Sequence, residues 1–171
     1  MNNPHEKVRS EAVWTTREVT KMALVAALYV AVTFVLQPVG YGNIQFRVAE
    51  MFNFLALANK RYVWAVTIGC GIANLASPNG LLDVVVGSSC TFFVLLLCRW
   101  ATRNMKSLRL KLAVTAFIFA LSMFTVAAQL TLLYQAPFFF NWLTIGIGEL
   151  LSMTIGGILM YLLAQKIDLT I

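Results

Sequence analysis

The sequence predicts an all-α integral membrane protein that crosses the bilayer with six helices, and two properties of the whole chain lead to this prediction. First, its 171 residues are 60% hydrophobic and 12% charged, with a mean hydropathy of +0.78. A soluble domain of this size has too little interior to bury so much apolar surface, so lipid must be the solvent for most of it. Second, the charges are clustered, and the clusters alternate with apolar stretches along the chain.

The apolar stretches divide into six segments, which we number as spans one to six. A straight helix needs about 20 residues to cross the hydrocarbon, so spans two and three are short. One interpretation is that these two spans form a re-entrant hairpin that never crosses, and the other is that all six spans cross. The segments cover residues 21–37, 47–58, 62–76, 81–100, 112–134 and 142–165.

The positive charges favour six crossings. If all six spans cross, every cluster of cations lies on one face, and the positive-inside rule places that face and both termini in the cytoplasm. Residues 1–20 are then a cytoplasmic tail, for which an interfacial helix is one interpretation, and residues 21–171 form the membrane domain. Twelve of the thirteen Lys and Arg residues belong to four such clusters, in residues 7–21, at Lys60-Arg61, in residues 99–111 and at Lys166.

Several functions are made improbable by motifs that the sequence lacks. There is no G-x-x-x-x-G-K-[ST] loop, so we expect no ATPase site within this chain. The single histidine, His5, precedes the apolar spans, and Cys70, Cys90 and Cys98 show no metal-ligand spacing. The cations flank apolar segments instead of forming a patch with interleaved aromatic residues, which argues against a nucleic-acid partner. We therefore expect neither an enzyme nor a metal or cofactor site.

Four charges lie where apolar sequence dominates, and they mark the predicted binding site: Arg47, Glu50, Asp83 and Glu149. Arg47 and Glu50 are three residues apart and can pair on one helix face, whereas Asp83 falls in a first helical turn, where the helix dipole favours a carboxylate. These three charges fit a binding site, but they equally fit solvated or paired charges at helix ends.

Glu149 is the hardest of the four charges to explain without a ligand. It lies about eight residues into span six, roughly 12 Å below the outer surface. A carboxylate at such a depth costs several kcal/mol unless it is paired, protonated or faces a wet cavity. No Lys or Arg of its own span is within reach. The four charges sum to minus two, which favours a ligand that is cationic or rich in hydrogen-bond donors.

Amides and aromatic residues near the outer ends of the spans are further candidates. Asn74 and Gln129 can contact a ligand, and Phe46 and Trp142 can stack on a flat ring, although an amide within a span is more often a contact between helices. The outer loops, residues 37–43, 77–80 and 135–141, have two interpretations. They are either helix stops with an interfacial aromatic belt or lids over a pocket that opens to the outside.

Two ridges of small residues complete the pattern. Ala23, Ala27 and Ala31 recur every four residues in span one, and Gly148, Ser152 and Gly156 do the same in span six. Small residues at this spacing let another helix approach closely. Each ridge either packs within the bundle or forms a docking surface for a separate membrane subunit.

Together these residues resemble a known family. The architecture and the alanine ridge are similar to the substrate-binding S components of energy-coupling factor (ECF) transporters. Three longer motifs resemble the queuosine-precursor transporter family, QueT, within that class. They are Gln-Phe-Arg-Val-Ala-Glu at 45–50, Asn-Lys-Arg-Tyr at 59–62, and Ala-Asn-Leu-Ala-Ser-Pro-Asn-Gly-Leu-Leu-Asp at 73–83 with Gly87-Ser88 following.

The resemblance implies a multi-pass protein of the bacterial cell membrane that binds a 7-deazaguanine base, in the aminomethyl form that is cationic at neutral pH. It also implies a transmembrane coupling subunit, gripped by Ala23, Ala27 and Ala31, and two cytoplasmic ATPase subunits. The guanine-like edge of such a base carries adjacent hydrogen-bond donors, and one carboxylate can accept hydrogen bonds from both. We expect Glu149 or Glu50 to accept them, Arg47 to orient Glu50, and Asp83 to organise a helix start or contact the ligand.

Three alternatives remain at this point. The chain can be an S component for another vitamin or nucleobase, or a stand-alone carrier that uses Glu149 as a proton or ion site. It can also be a structural or regulatory membrane subunit that binds no small molecule and merely pairs its buried charges.

Overall fold

The computed structural model describes residues 14–36 and 47–166, and every regular element within these two ranges is a helix. We number the helices in chain order. They are α1 (Thr16–Val35), α2 (Val48–Ala58), α3 (Arg61–Asn74), α4 (Leu81–Thr102), α5 (Leu108–Ser122), α6 (Phe124–Tyr134) and α7 (Phe138–Ala164).

Four helical stretches are long and apolar enough to cross a membrane, which confirms the prediction of an all-α membrane protein. They are α1, α4, α7 and the continuous apolar stretch formed by α5 and α6. The helix α3, with 14 residues, is shorter than a straight crossing requires. The helix bounds agree with the six apolar segments to within a few residues, except at the start of α1.

The helix α1 begins at Thr16, earlier than the predicted start at Lys21, because a capping box precedes it. The Thr15 hydroxyl accepts from the Glu18 amide at 3.3 Å, and the Glu18 carboxylate accepts from the Thr15 amide at 2.8 Å. These two bonds satisfy otherwise unpaired donors of the first turn. The first helix thus includes residues that the sequence assigned to the tail. Residues 1–13, for which the sequence offers an interfacial helix, lie outside the described residues.

The helix α2 has an unusual start that shapes the site. It runs as a 3₁₀ helix over Val48–Phe54 and becomes α-helical only over Leu55–Ala58. Because a 3₁₀ helix has three residues per turn, Glu50 and Asn53 are stacked on the same face. The guanidinium of Arg99, on α4, donates to the carbonyl of Ala56 and so holds the last turn of α2 against α4.

The two ridges of small residues have different surroundings. Gly148, Ser152 and Gly156 are buried, and a side chain at Gly156 would collide with Met51 of α2. The ridge of α7 therefore packs within the bundle. Ala23, Ala27 and Ala31 are exposed on the outer side of α1, so this ridge is not covered by any of the described helices.

The other side of α1 packs closely on α3. A Cβ added at Gly69 would lie 3.0 Å from the Tyr29 Cβ and 3.1 Å from the Ala26 carbonyl oxygen, so glycine is what permits the approach. Tyr29 is 2% exposed and belongs to the apolar core. This packing turns the Tyr29 hydroxyl toward the start of α2, where the site lies.

Candidate functional site

A cavity of about 200 Å³ lies between α2, α3, α4, α5, α6 and α7. A water molecule needs roughly 10–15 Å³, so the space admits a small ligand. Met123, which separates α5 from α6, is part of the lining. The cavity brings together six of the eight predicted substrate-binding residues: Arg47, Glu50, Asn74, Asp83, Gln129 and Glu149.

Glu149 lies deep in the cavity wall. Its side chain is 2% exposed, and its Oε1 atom has no hydrogen-bond partner among the described residues. Arg47 and Glu50 are near enough to interact with it electrostatically. An unsatisfied buried acceptor costs about 1–3 kcal/mol, and more when it is charged. A ligand that donates hydrogen bonds to this oxygen removes that cost, so the position is suited to binding.

Glu50 has a different environment, although it lines the same cavity. It is 5% exposed, and both of its carboxylate oxygens accept hydrogen bonds from the protein. The Tyr29 hydroxyl donates to Oε1 at 2.8 Å, and the Asn53 amide donates to Oε2. The second bond follows from the 3₁₀ helix, which stacks Asn53 on Glu50. The carboxylate of Glu50 is therefore held in one orientation by two helices.

Arg47 is anchored to α7 through its backbone. Its amide donates to the Ser152 hydroxyl at 3.0 Å, and that hydroxyl donates in turn to the Gly148 carbonyl at 2.9 Å. Ser152 follows Glu149 by three residues, so the two lie on one face of α7. This contact brings the positive charge to the Glu149 end of the cavity. The hydrogen bonds that orient Glu50 come from Tyr29 and Asn53, so the predicted orienting role of Arg47 stays a prediction.

Asp83 lies at the other end of the cavity, which we call the rim. Its carboxylate accepts hydrogen bonds from Ser77, from the Gln129 amide, and from the Asn79 amide at 3.2 and 3.3 Å. The Tyr134 hydroxyl donates to the Asn79 side-chain oxygen. These bonds tie the loop before α4 to α6, and the predicted role of Asp83, as organiser of a helix start or ligand contact, stays a prediction.

Asn74 connects α3 with α4 beside this rim. Its amide donates to the main-chain carbonyl of Asp83 at 3.2 Å and contacts the Cys70 sulfur at 3.4 Å. A Cβ at Gly87 would collide with the same amide, so a side chain there would displace Asn74 from this position. The Cys70 sulfur also lies 3.4 Å from the Thr91 hydroxyl, and both residues line the cavity.

Sequence reasoning did not identify several residues of the site. Tyr29 had no distinguishing signal, because it is one tyrosine within an apolar helix, and its role depends on the close packing of α1 on α3. Cys70 is buried, as expected of a cysteine in an apolar stretch, but it also lines the cavity. Phe119, which is 2% exposed, provides an aromatic wall on the α5 side.

The two remaining candidates are Phe46 and Trp142. Phe46 lies outside the described residues. Trp142 is absent from the cavity wall that the described residues form. Its indole N–H donates to the Leu121 carbonyl at 3.0 Å, and its ring contacts Phe138 at 5.9 Å between centroids. In this position Trp142 connects the start of α7 to the end of α5, and its predicted binding role stays a prediction.

Comparisons with known proteins identify the family. The family model described as "QueT transporter" matches residues 19–165. The chain is also 40% identical over 164 residues to a protein of Lactococcus lactis subsp. cremoris (strain MG1363) named "Queuosine precursor transporter QueT", and the match covers 91% of this chain and 96% of the relative. No solved structure matches the chain. The family model and the relative both span nearly the whole membrane domain, and the chain therefore belongs to the QueT transporter family.

Proposed function

We propose that this protein is the membrane-embedded, substrate-binding subunit of an importer for a queuosine precursor, specifically the aminomethyl form of 7-deazaguanine. The family and the name of the Lactococcus relative support a queuosine precursor as the substrate. The observation that carries the choice of base is the unpaired Oε1 atom of Glu149 in the cavity wall. A buried carboxylate with an unpaired oxygen favours a ligand that donates hydrogen bonds.

The chemistry of the base matches the cavity. The edge of a 7-deazaguanine carries a ring N–H beside an amino group, and one carboxylate accepts both in a bidentate arrangement. We assign this edge to Glu149 and the aminomethyl cation to Glu50, which Tyr29 and Asn53 already hold in place. The flat ring then lies against Phe119.

The size of the cavity agrees with a base that lacks a ribose. Its volume of about 200 Å³ is below the roughly 300–1,000 Å³ of pockets for drug-sized ligands. The four charged residues of its wall sum to minus two, which favours the cationic aminomethyl form over a neutral analogue of the same shape.

We also propose that all six apolar segments cross the membrane, with both termini in the cytoplasm. Two contacts support a common face for the cations. The ion pair between Arg61 and Glu18 places the starts of α1 and α3 side by side. The hydrogen bond from Arg109 to the Tyr161 hydroxyl is 3.1 Å long, and it places the start of α5 beside the last turns of α7.

Energy for import is proposed to come from other subunits, namely a transmembrane coupling subunit and two cytoplasmic ATPases of the ECF type. The exposed face of Ala23, Ala27 and Ala31 supports a docking surface on α1.

Co-purification tests this docking surface directly. Ala27→Leu is expected to reduce recovery of the coupling subunit, whereas Leu132→Phe, which adds bulk at a 79% exposed position of α6, is not. Equal recovery with both variants would contradict this docking surface.

A ligand screen on gently purified protein tests the substrate. We expect the aminomethyl base to raise the melting temperature and to bind more tightly than its cyano analogue or guanine. The panel also contains thiamine, riboflavin and biotin. Stabilisation by one of these vitamins alone would assign a different substrate, and no stabilisation by any compound would favour a structural or regulatory subunit.

Uptake into liposomes tests the mechanism. The chain reconstituted with the coupling subunit and both ATPases is expected to accumulate the base only when ATP is supplied. Accumulation by the chain alone without ATP would instead indicate a stand-alone carrier, with Glu149 as its proton or ion site.

A further inference from the structure

A second concave site lies on the outer surface between α5 and α7, away from the cavity around Glu149. It is a groove of about 320 Å³ whose walls are almost entirely apolar. Arg109 and Tyr161 form one end, and Ala116 and Met153 lie at the other. The groove extends over about seven residues of each helix, which corresponds to roughly 10 Å. That length fits within one leaflet of a hydrocarbon core that is about 30 Å thick.

The polar groups of the groove are concentrated at the Arg109 end. The guanidinium donates to the Tyr161 hydroxyl at 3.1 Å and lies 5.1 Å from the centre of the same ring. One hydrogen bond uses only one of the five N–H donors of an arginine. Farther along, Thr154 lines the wall, but its hydroxyl donates to the Leu150 carbonyl at 2.6 Å. The rest of the groove therefore offers apolar surface.

The charge around this end identifies the kind of ligand. No acidic residue is among the described residues that line the groove. Arg103, Lys106 and Lys111 belong to the same short stretch of sequence as Arg109 and add positive charge at this end of the bundle. The cavity around Glu149 has the opposite charge, so the two sites select different ligands. A cationic end joined to an apolar trough matches an amphiphile with an anionic head and a hydrocarbon chain.

We propose that the groove between α5 and α7 binds one anionic phospholipid, with its phosphate on Arg109 and one acyl chain lying along the groove. The arginine fork matches phosphate oxygens in two parallel hydrogen bonds. Three small residues, Ala113, Ala116 and Gly157, leave the room that the chain occupies. This lipid site does not depend on which base the cavity around Glu149 binds.

Native mass spectrometry of the full chain, released from nanodiscs of phosphatidylglycerol or phosphatidylcholine, tests the proposal. The matched control is Arg103, another exposed arginine, which lies 5.8 Å from the centre of the Trp100 ring but does not line the groove. The native chain and Arg103→Gln are expected to retain one phosphatidylglycerol. Arg109→Gln is expected to retain about fivefold less phosphatidylglycerol, and its loss of phosphatidylcholine should be smaller, because the choline cation offsets the phosphate charge.

Two further arms test the contributions of the acyl chain and of the head group separately. Ala113→Phe places a ring in the groove at an exposed position and should abolish retention of the lipid. Glycerol phosphate, which has the head group without chains, should not occupy the native protein. Equal losses in Arg109→Gln and Arg103→Gln would overturn the proposal. Full retention by Ala113→Phe, or binding of glycerol phosphate as strong as that of the lipid, would do so as well.

Discussion

The two ends of the cavity each hold a carboxylate, partly buried at Asp83 and buried at Glu149, and the protein treats the two groups differently. At one end, Asp83 accepts hydrogen bonds from Ser77, Asn79 and Gln129. At the other end, the Oε1 atom of Glu149 has no hydrogen-bond partner among the described residues. Both groups line the same space, so the difference lies in the donors that the fold supplies.

We propose that this difference separates a structural carboxylate from a binding one. Asp83 gains its stabilisation in the empty protein, because Ser77 and Asn79 link the loop to α4 and Gln129 links α6 to α4. Glu149 remains costly until a ligand supplies donors, since a buried acceptor without a partner keeps its desolvation penalty. In the sequence, Glu149 was singled out by its depth in the membrane. The comparison teaches that the hydrogen bonds each carboxylate already makes are more informative about its role than depth alone.

The largest effect is expected from Glu149→Gln. The amide keeps the shape but replaces one acceptor oxygen with a donor and removes the charge. Affinity for the aminomethyl base should fall by about 100-fold, as measured by calorimetry, because a charge-assisted pair of hydrogen bonds is lost. The melting temperature of the empty protein should not fall, since Oε1 makes no hydrogen bond within the described structure. An affinity within threefold of the native value would remove Glu149 from the site.

Asp83→Asn should act mainly on stability. The substituted amide presents a donor toward groups that themselves donate, so hydrogen bonds at the rim are lost. Loss of a charged acceptor costs about 1.5–3 kcal/mol, and the melting temperature of the empty protein should fall by roughly 4–8 °C. Affinity should fall only about tenfold, because the rim is loosened.

Ser77→Ala is the graded control for the rim, since it removes one donor to Asp83 and leaves the carboxylate in place. Its melting temperature should lie between those of the native protein and Asp83→Asn. An unchanged melting temperature in Asp83→Asn would show that the rim bonds are not structural.

A smaller effect is expected from Tyr29→Phe, which removes only the hydroxyl that donates to Glu50. Affinity should fall about fivefold, because one hydrogen bond that orients Glu50 is lost. Tyr62→Phe is the matched control, since Tyr62 is also buried but supplies neither of the two hydrogen bonds described for Glu50. Equal losses of affinity in the two variants would mean that the Tyr29 hydroxyl acts only through general packing.

The smallest effect is expected from Trp142→Phe. The indole bonds the Leu121 carbonyl and lies away from the cavity wall, so affinity should stay within about twofold while stability falls by about 1 kcal/mol. Calorimetry and thermal unfolding of the same preparation check both values. A tenfold loss of affinity with unchanged stability would return Trp142 to the binding site, where the sequence had placed it.

The sequence was sufficient for most of the helices and for the region of the site. Apolar runs fix where helices lie, and charges within apolar sequence tend to gather around a shared polar space, as Glu50, Asp83 and Glu149 do around the cavity. The start of α1 was missed because the capping box of Thr15 and Glu18 precedes the apolar run.

The partners of each site residue could not be predicted in the same way. The bonds from Tyr29 to Glu50 and from Gln129 to Asp83 join residues that are 21 and 46 positions apart. They depend on how each helix is rotated toward its neighbours, and hydrophobic periodicity is weak in helices that are apolar on all sides. The same limit explains why the two ridges of small residues were equivalent in sequence, although only that of α1 is exposed.

Calorimetric titration of the aminomethyl base into Glu149→Gln and Asp83→Asn, side by side with the native chain, tests the central claim most directly. We predict that Glu149→Gln loses about tenfold more affinity than Asp83→Asn. A loss in Asp83→Asn as large as that in Glu149→Gln, or larger, would contradict the assignment of Glu149 as the binding carboxylate.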